Sequence, residues 1–524
     1  MPDVYIYDTT LRDGAAREGV SFSFEDKIKI LKRLDAFGVH YVEGGYPASN
    51  PKDAEFFKVA SSIELKNAKL VAFGSTRRAL SSPSRDKEMK ALVSSGVKSV
   101  CIFGKSWDFH VRSALRTSLD ENVYMIEESV KYLKKKGLEV IYDAEHFFDA
   151  YKDNPKYAMR TIMAASSAGA DWIVLCDTNG GTLPHELLGI VKEVREKINT
   201  PLGIHTHNDC DCAVANTLLA VREGVKMVQG TINGYGERCG NANLCSVIPD
   251  LVLKMGLDCI SRNNLMGLTD LSHYVSELAN LIPDAHQPYV GYSAFAHKGG
   301  IHASAVSKES RTYEHIRPEM VGNFGRIVVS ELSGKSTIVM KAKEMGIDIE
   351  EKPQSISEIL KRVKELEHIG YQFEAADGSF ELLIRKELGT YKQFFRLESF
   401  RVIMEKREDG KVVTEATIKI HIAGKRIIAT AEGNGPVNAL DRALRLAIGR
   451  SFPELKDIVL TDYKVRVLDE KKGTAAVTRV LVETTDGEKS WGTIGVSENI
   501  IEASWQALVD SIEYGLEHKR IKPH

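Results

Sequence analysis

The chain has 524 residues, which is too long for one ordinary domain and predicts about three folding units, or fewer if one is a barrel. Hydrophobic residues make up 43% of the sequence and charged residues 27%, the composition of a soluble globular protein. With a formal net charge of -2, the protein lacks the positive electrostatic field that would attract nucleic acid or a membrane surface. We therefore expect small-molecule partners, with no nucleic acid and no membrane.

The cysteines and the apolar runs predict the cellular compartment. Seven cysteines, with no Cys-x-x-Cys pair, favour reduced thiols in a cytosolic enzyme. No apolar run approaches about 18 residues and the first residues are polar, so neither a membrane span nor a signal peptide is expected. These features predict a cytoplasmic protein.

Short apolar, β-branched runs alternate with stretches of helical period from residue 4 to about residue 256. The runs predict eight strands, at residues 4–7, 41–44, 70–73, 99–103, 139–142, 172–176, 202–205 and 226–229. The helices predicted after them span residues 25–37, 52–66, 86–95, 120–136, 155–168, 184–199, 211–223 and 243–256. Glycines stand where five of these helices would end, at Gly38, Gly96, Gly137, Gly169 and Gly224.

Eight β/α units in about 250 residues predict a (β/α)8 TIM barrel. A doubly wound open sheet would show the same alternation, but it requires a glycine-rich phosphate turn after an early strand. The sequence Gly44-Gly45-Tyr46-Pro47 is a poor match for that turn. We therefore expect the barrel.

Polar side chains gather where the predicted strands end, which is the catalytic face of such barrels. His205 and His207 stand two residues apart on the seventh strand, so their imidazoles point to the same side and make half a metal site. A histidine pair in a polar loop is the alternative. Asp13 after the first strand and Asn241 after the eighth add a carboxylate and an amide oxygen. Together the four predict a mixed site for magnesium, manganese or zinc, with positions open for substrate.

The pattern changes after residue 260. Polar helical stretches are interrupted by residues 295–302, where glycines beside histidines predict a loop that closes over a site, or surface histidines at a turn. Residues 330–368 predict helices with a turn at 332–335. From about residue 394, strands at 400–405, 412–423, 463–468 and 474–484 and a helix at 437–449 predict a compact α+β domain with two β-ribbon and helix passes.

A flexible turn precedes the predicted helix of this last region, at Gly433, Asn434, Gly435, Pro436 and Val437. It could present backbone amides to an amino-acid carboxylate, or be an ordinary turn followed by a proline at the first helical position. The predicted domains are a barrel at residues 1–268, helical linker subdomains at 269–393 and a C-terminal α+β domain at 394–520.

Four motifs, at residues 8–14, 177–180, 205–209 and 236–241, resemble the DRE-TIM metallolyases. Residues 295–302 and 433–437 extend the resemblance over nearly the whole chain, to the isopropylmalate, homocitrate and citramalate synthases. Residues 11–23 and 42–47 are most similar to the citramalate synthase branch. The resemblance implies a Claisen condensation of acetyl-CoA with a 2-oxo acid, pyruvate in that branch, followed by thioester hydrolysis.

The resemblance also implies residue roles. Asp13, His205 and His207 bind a divalent metal, with Asn241 completing the shell. The side chains around the metal are implied to be Arg12 for the developing alkoxide, Glu145 as the active-site glutamate, Thr178 for the substrate carboxylate, and His297 with Tyr313 for enolisation of the acetyl methyl. The C-terminal domain implies a homodimer and feedback inhibition by an amino-acid effector, isoleucine, bound near residues 433–437.

Alternatives and departures accompany this interpretation. A 2-isopropylmalate synthase acting on 2-oxoisovalerate is the nearest alternative, and a metal aldolase or acyl-CoA lyase comes third. An amino-acid-sensing protein on a degenerate barrel is disfavoured because every candidate ligand is present. Asp143 stands where several synthases carry an aromatic residue or serine. Cys239 is interpreted as a packing residue, and Glu237 with Arg238 as an ion pair that orders the loop before Asn241.

Overall fold

The computed structural model describes residues 2–298, 300–306, 308–329, 335–349, 353–468 and 476–519. The chain forms two compact units. The first comprises Met1–Phe295 and Ile316–Phe324, and the second comprises Ala296–His315 and Gly325–His524. The domain boundaries at residues 268 and 393 stay predictions, while residue 520 and most of the turn predicted at 332–335 lie outside the described residues.

The first unit is built on a closed barrel of eight strands in sequential order. The strands are β1 Tyr5–Asp8, β2 Tyr41–Gly45, β3 Lys69–Ser75, β4 Ser99–Lys105, β5 Glu139–Glu145, β6 Trp172–Asp177, β7 Leu202–Thr206 and β8 Met227–Gly230. Each neighbouring pair is parallel, and β1 closes on β8 with Tyr5 opposite Met227 and Asp8 opposite Gly230. The predicted barrel is therefore confirmed, and every predicted strand overlaps an observed one.

Helices surround the barrel. They are α1 Phe24–Phe37, α2 Pro51–Ala60, α3 Lys87–Ser94, α4 Asp108–His110, α5 Leu119–Lys135, α6 Phe147–Asp153, α7 Pro155–Ser167, α8 Pro184–Lys197, α9 Ala213–Arg222, α10 Leu244–Pro249, α11 Arg262–Leu265 and α12 Leu268–Leu278. The start of α1 shows why such segments are helical: the Ser23 hydroxyl accepts a hydrogen bond from the Asp26 amide, and the Asp26 carboxylate accepts one from the Ser23 amide. At its end Gly38 has a φ of 98°, which favours glycine.

Two predicted helices differ from the observed ones. The helix predicted at 52–66 ends at Ala60, where the Ser62 hydroxyl donates to the carbonyl of Val59 and terminates the regular bonding. The helix predicted at 243–256 is α-helical only to Pro249 and continues as the π-helical turn Asp250–Lys254.

Alternate residues of each strand face two different hydrophobic clusters, one inside the barrel and one between the barrel and its helices. On β3, Val71 and Phe73 face the interior cluster, whereas Leu70 and Ala72 pack against the surrounding helices. The interior is filled by large apolar and aromatic side chains such as Tyr7 and Trp172. This filled interior leaves the strand ends as the place for a site.

The second unit begins with the short parallel pair β9 Ala296–His297 and β10 Arg326–Ile327. Its first helices are α13 Gly300–Val306, α14 Lys335–Glu344, α15 Pro353–His368 and α16 Asp377–Glu387. Two antiparallel three-stranded sheets follow, β11 Arg396–Lys406, β12 Val412–Ile422 and β13 Lys425–Gly433, then β14 Val459–Val467, β15 Thr478–Thr485 and β16 Ser490–Ser497.

A helix follows each of these sheets, α17 Pro436–Ile448 after the first and α18 Ile500–His518 after the second. The prediction of two β segments, each followed by a helix, is therefore confirmed. Strands β13 and β16 and helix α18 were not predicted individually. Among the described residues, no helix is both long and apolar enough to cross a membrane.

Candidate metal and substrate site

Three side chains of the first unit converge at the carboxyl end of the barrel. His205 Nε2 lies 3.3 Å from His207 Nε2, and Asp13 Oδ2 lies 3.3 Å from His205 Nε2 and 3.8 Å from His207 Nε2. All three residues are buried, and their ligating atoms lie within 4.8 Å of one another. Ligands about 2.1 Å from one ion stand about 3 Å apart at right angles. This group could therefore hold a divalent cation with little movement.

Asn241 completes the group from the chain after β8. Its Nδ2 lies 2.8 Å from Asp13 Oδ2 and 3.2 Å from His205 Nε2, while its buried Oδ1 has no hydrogen-bond partner among the described residues. A half-turn of the amide would bring that oxygen to the other ligands. A Cβ on Gly236 would approach Oδ1 to 1.9 Å, so only glycine fits there. A buried amide oxygen beside a carboxylate and two imidazoles fits a cation.

The three candidate ligands shift one another's pKa values. Burial alone would raise the pKa of Asp13, but the charge of Arg12 and the hydrogen bond and charge of His205 hold it well below its usual value. Burial alone would lower the pKa of His205, but the Asp13 carboxylate raises it. Burial and the neighbouring His205 lower the pKa of His207 to about 3. A carboxylate kept ionised beside a neutral imidazole suits metal ligation.

Arg12 is fixed beside these ligands by a buried carboxylate. Its Nε donates to Glu43 Oε1 at 2.5 Å, its Nη1 lies 3.3 Å from Asp13 Oδ1, and the guanidinium carbon lies 3.8 Å from the centre of the Phe73 ring. Glu43 also accepts hydrogen bonds from Tyr7 at 2.5 Å and Thr9 at 2.7 Å. Glu43 lies within the strand predicted at residues 41–44, and no role was predicted for it. A carboxylate inside a fully buried strand was the available signal.

Glu145 and Thr178 lie at the ends of the neighbouring strands β5 and β6. Glu145 forms an ion pair with Lys105, its register partner on β4. The Thr178 hydroxyl oxygen accepts a hydrogen bond from the amide of His146 at 2.9 Å, which fixes its position. Both are therefore placed at the same end of the barrel as Asp13.

The loop before Asn241 is ordered mainly by Arg238. Its Nε donates to Asp209 at 2.8 Å and its Nη2 donates to the carbonyl of Thr178 at 2.8 Å, whereas the ion pair with Glu237 is longer, at 3.5 Å. The predicted ion pair is present, but Asp209 is the closer partner. Cys239 is exposed, so its interpretation as a packing residue is wrong.

His297 and Tyr313 belong to the second unit. His297 Nε2 lies 3.3 Å from Glu314 Oε1, and the half-exposed Tyr313 stacks on the ring of His302 with centroids 4.1 Å apart. The roles of both residues stay predictions. Gly299, within the predicted loop at 295–302, lies outside the described residues, while the described remainder forms β9 and the start of α13.

The residues predicted for the effector surround the start of α17. Gly433 ends β13 and Asn434 follows it, Gly435 caps the helix with an extended backbone, and Pro436 is its first residue. Val437 lines a cavity of 520 Å³ within the second unit. The predicted proline at the first helical position is confirmed, and the role of the turn stays a prediction.

Comparison with known families agrees with this architecture. The HMGL-like family model matches residues 3–275, the homocitrate synthase post-HMGL domain-like model matches residues 289–370, and the LeuA allosteric (dimerisation) domain model matches residues 374–516.

Three relatives match almost end to end. An (R)-citramalate synthase of Geobacter sulfurreducens is 58% identical, covering 99% of this chain and 98% of the relative. One of Aquifex aeolicus is 55% identical, covering 98% of each chain. A probable 2-isopropylmalate synthase of Methanopyrus kandleri is 33% identical, also covering 98% of each chain. Because identity above half extends over the whole length, this chain belongs to the family of the (R)-citramalate synthases.

Proposed function

We propose that the protein is an acyltransferase that condenses acetyl-CoA with pyruvate and hydrolyses the thioester, giving (R)-citramalate and CoA. The observation that carries this proposal is the buried group of Asp13, His205 and His207 at the carboxyl end of the barrel. Whole-length identity to relatives named (R)-citramalate synthase supports the choice of substrates.

A divalent ion, magnesium, manganese or zinc, would be held by Asp13, His205, His207 and Asn241. When bound it would act as a Lewis acid on the keto group of pyruvate. Arg12 would stabilise the negative charge that develops on the keto oxygen, because Glu43 and Asp13 hold its guanidinium in place before substrate arrives.

Thr178 and Glu145 would orient the substrate. The Thr178 hydroxyl oxygen accepts a hydrogen bond from the His146 amide, so the hydroxyl proton can be donated to the carboxylate of pyruvate. Glu145 is held by Lys105 at the end of β5 and lies on the strand next to Thr178. A positioned carboxylate there would orient acetyl-CoA relative to the keto carbon.

His297 would remove a proton from the acetyl methyl, with Tyr313 assisting. The carbon so activated forms a bond to the keto carbon, and the keto oxygen takes up a proton. Water then attacks the thioester carbonyl, the carbon–sulfur bond breaks, and CoA leaves as the thiol. The carboxylate of Glu314 beside His297 Nε2 would favour the protonated imidazole that follows proton removal.

We further propose that the second unit dimerises and binds isoleucine as a feedback inhibitor. The match of the LeuA allosteric (dimerisation) domain supports a homodimer. The cavity beside α17 is lined by Val437, Asn438, Asp441 and Arg445, which offer an apolar wall and an ion pair in which Arg445 Nε lies 2.9 Å from Asp441 Oδ1. Arg445 donates to the carbonyls of Leu455 and Ile458, which fixes the opposite wall. A zwitterionic branched-chain amino acid fits that chemistry.

The test is release of free CoA from acetyl-CoA in the presence of pyruvate, 2-oxobutyrate, 2-oxoisovalerate or 2-oxoglutarate, with the metal content measured in parallel. We expect pyruvate to have the highest kcat/KM, with some activity on 2-oxobutyrate because one methylene changes discrimination by only about 1–3 kcal/mol. A higher kcat/KM for 2-oxoisovalerate would instead identify a 2-isopropylmalate synthase, the alternative that the Methanopyrus kandleri relative represents.

A further inference from the structure

Gln229 contacts two buried side chains, His205 of the candidate metal group and Asp143. It is the register partner of His205 on the adjacent strand, and its Oε1 lies 2.8 Å from His205 Nδ1. Its Nε2 lies 3.1 Å from Asp143 Oδ1. Gln229 is completely buried, and Asp143 and His205 are nearly so. These three residues form the orienting chain, and the roles assigned above use neither Gln229 nor Asp143.

The carboxylate at one end sets the direction of the amide. An ionised carboxylate only accepts hydrogen bonds, whereas the two ends of a glutamine amide differ, one donating and one accepting. Burial raises the pKa of Asp143 to about 6, so above that pH Asp143 is ionised. Gln229 then turns its NH2 group toward Asp143, because the reverse orientation would place two acceptor oxygens in contact. The amide oxygen then faces His205.

The orientation of the Gln229 amide in turn determines which ring nitrogen of His205 carries the proton. Since Gln229 Oε1 only accepts, His205 Nδ1 must carry the proton, which leaves the lone pair of a neutral ring on Nε2. Nε2 is the atom that lies 3.3 Å from both Asp13 Oδ2 and His207 Nε2. His207 differs, because its buried Nδ1 has no hydrogen-bond partner among the described residues.

We infer that Asp143 and Gln229 are positioning residues that hold His205 as the Nδ1–H tautomer, so that Nε2 is ready to bind the cation. The inference rests on the proposed metal group and deepens it. It also gives a physical reason for Asp143 at this position: an aromatic side chain or serine would not impose a direction on Gln229. A partner to the second nitrogen of a ligating histidine is worth about 10–100-fold in metal affinity.

The test is titration of metal-free protein with Mn²⁺, with the free ion measured by electron paramagnetic resonance. Gln229→Met keeps the side-chain length and removes both hydrogen bonds, so we expect Mn²⁺ affinity to fall about 10–100-fold. Gln229→Glu still accepts from His205 but faces the Asp143 carboxylate, so affinity should also fall. Adding Asp143→Asn to Gln229→Glu reverses the polarity of that contact, because the asparagine NH2 can donate, and should restore affinity close to the original.

Asn216→Leu is the matched control. It removes another fully buried amide of the first unit, which donates to the carbonyl of Thr182 at 2.7 Å and does not contact the ligands. It should leave Mn²⁺ affinity unchanged. Unchanged affinity in Gln229→Met, or a double variant that binds no better than Gln229→Glu alone, overturns the orienting chain. If the unmodified protein does not bind Mn²⁺, or His207→Ala binds it as tightly, the metal group itself is refuted and the orienting chain with it.

Discussion

Two buried carboxylates, Asp13 in the first unit and Glu513 in the second, have pKa values shifted in opposite directions. In the barrel, Arg12 and His205 keep the pKa of the buried Asp13 well below its usual value. In the second unit, burial raises the pKa of Glu513 on α18 to about 7, although Tyr391 donates a hydrogen bond to it. Asp13 therefore keeps its negative charge inside the barrel, whereas Glu513 favours the neutral acid. Charge in the barrel should matter for chemistry, and charge in the second unit for control and stability.

The largest expected effect comes from removing a ligand. His207→Ala should abolish bound metal and lower kcat by at least about 10³-fold, because Asp13 and His205 alone cannot hold the ion in place. Metal content by mass spectrometry and CoA release measure the two effects together. His185→Ala, at an exposed position of α8, is the control and should change neither. Full metal stoichiometry in His207→Ala would contradict the ligand assignment.

Glu43→Gln tests whether the barrel needs the charge that holds Arg12. We expect kcat to fall about 10–100-fold with Mn²⁺ affinity nearly unchanged, because Arg12 loses a charged partner while the ligands remain.

The control for that variant is Glu139→Gln at the amino end of β5. Glu139 accepts from Ser99 at 2.6 Å and pairs with Lys69 at 2.9 Å, far along the strand from the site. Its loss should affect stability and leave kcat unchanged. Equal kcat in Glu43→Gln and Glu139→Gln would contradict a specific role of Glu43 in catalysis.

Gly435→Asp adds charge to the second unit where the effector carboxylate is proposed to bind. A Cβ there meets no atom within 4 Å, and aspartate is a favourable helix cap, so the fold should be kept. We expect kcat and KM to be unchanged and the isoleucine concentration for half inhibition to rise at least about tenfold, since like charges repel.

Gly435→Asn introduces a side chain of the same size as aspartate but without the charge. It should remain inhibited by isoleucine. If Gly435→Asp is as sensitive to isoleucine and leucine as the unmodified protein, the effector binds elsewhere. If the unmodified protein responds to neither amino acid, the regulatory proposal is wrong.

The smallest effect concerns stability alone. Because the folded pKa of Glu513, about 7, exceeds the ordinary 4.5, the folded protein binds this proton more tightly and stability falls as pH rises between these values. Glu513→Gln should flatten that slope and raise the free energy of unfolding above pH 7 by up to about 3 kcal/mol. Denaturation from pH 4.5 to 8 measures it, with the exposed Glu488→Gln as control. An unchanged slope would contradict a neutral Glu513.

The sequence predicted the barrel well because each β/α unit is local. Strand period, a capped helix start and a terminal glycine such as Gly38 all lie within one unit, so no distant contact was needed to recognise them. The same holds for α17, whose start was marked by Pro436. Strand β13 was missed because its half-buried positions include Ala429 and Ala431, which have low strand propensity, and because its pairing with β12 is not visible locally.

The site was predicted only as far as residue type and strand position allow. Asp13, His205, His207 and Asn241 were expected together because the carboxyl ends of parallel strands meet in a barrel. The roles of Glu43 and Gln229 were not predicted, because they depend on hydrogen bonds to side chains outside their own strands. Sequence pattern gives the side of a strand on which a residue lies, but not the partner it meets across the interior.

Asp13 and Asn241 are 228 positions apart, and they meet where β1 pairs with β8. No shorter piece of the chain can assemble the whole cluster, so the proposed ion would bind fully only to a barrel that has closed. Binding restricted to the closed form adds RT ln(1 + [M]/Kd) to its stability, about 2.7 kcal/mol when free metal is 100 times Kd. We therefore expect a chelator to remove stabilisation at the pairing of the first and last strands, the longest loop closure that the barrel has to make.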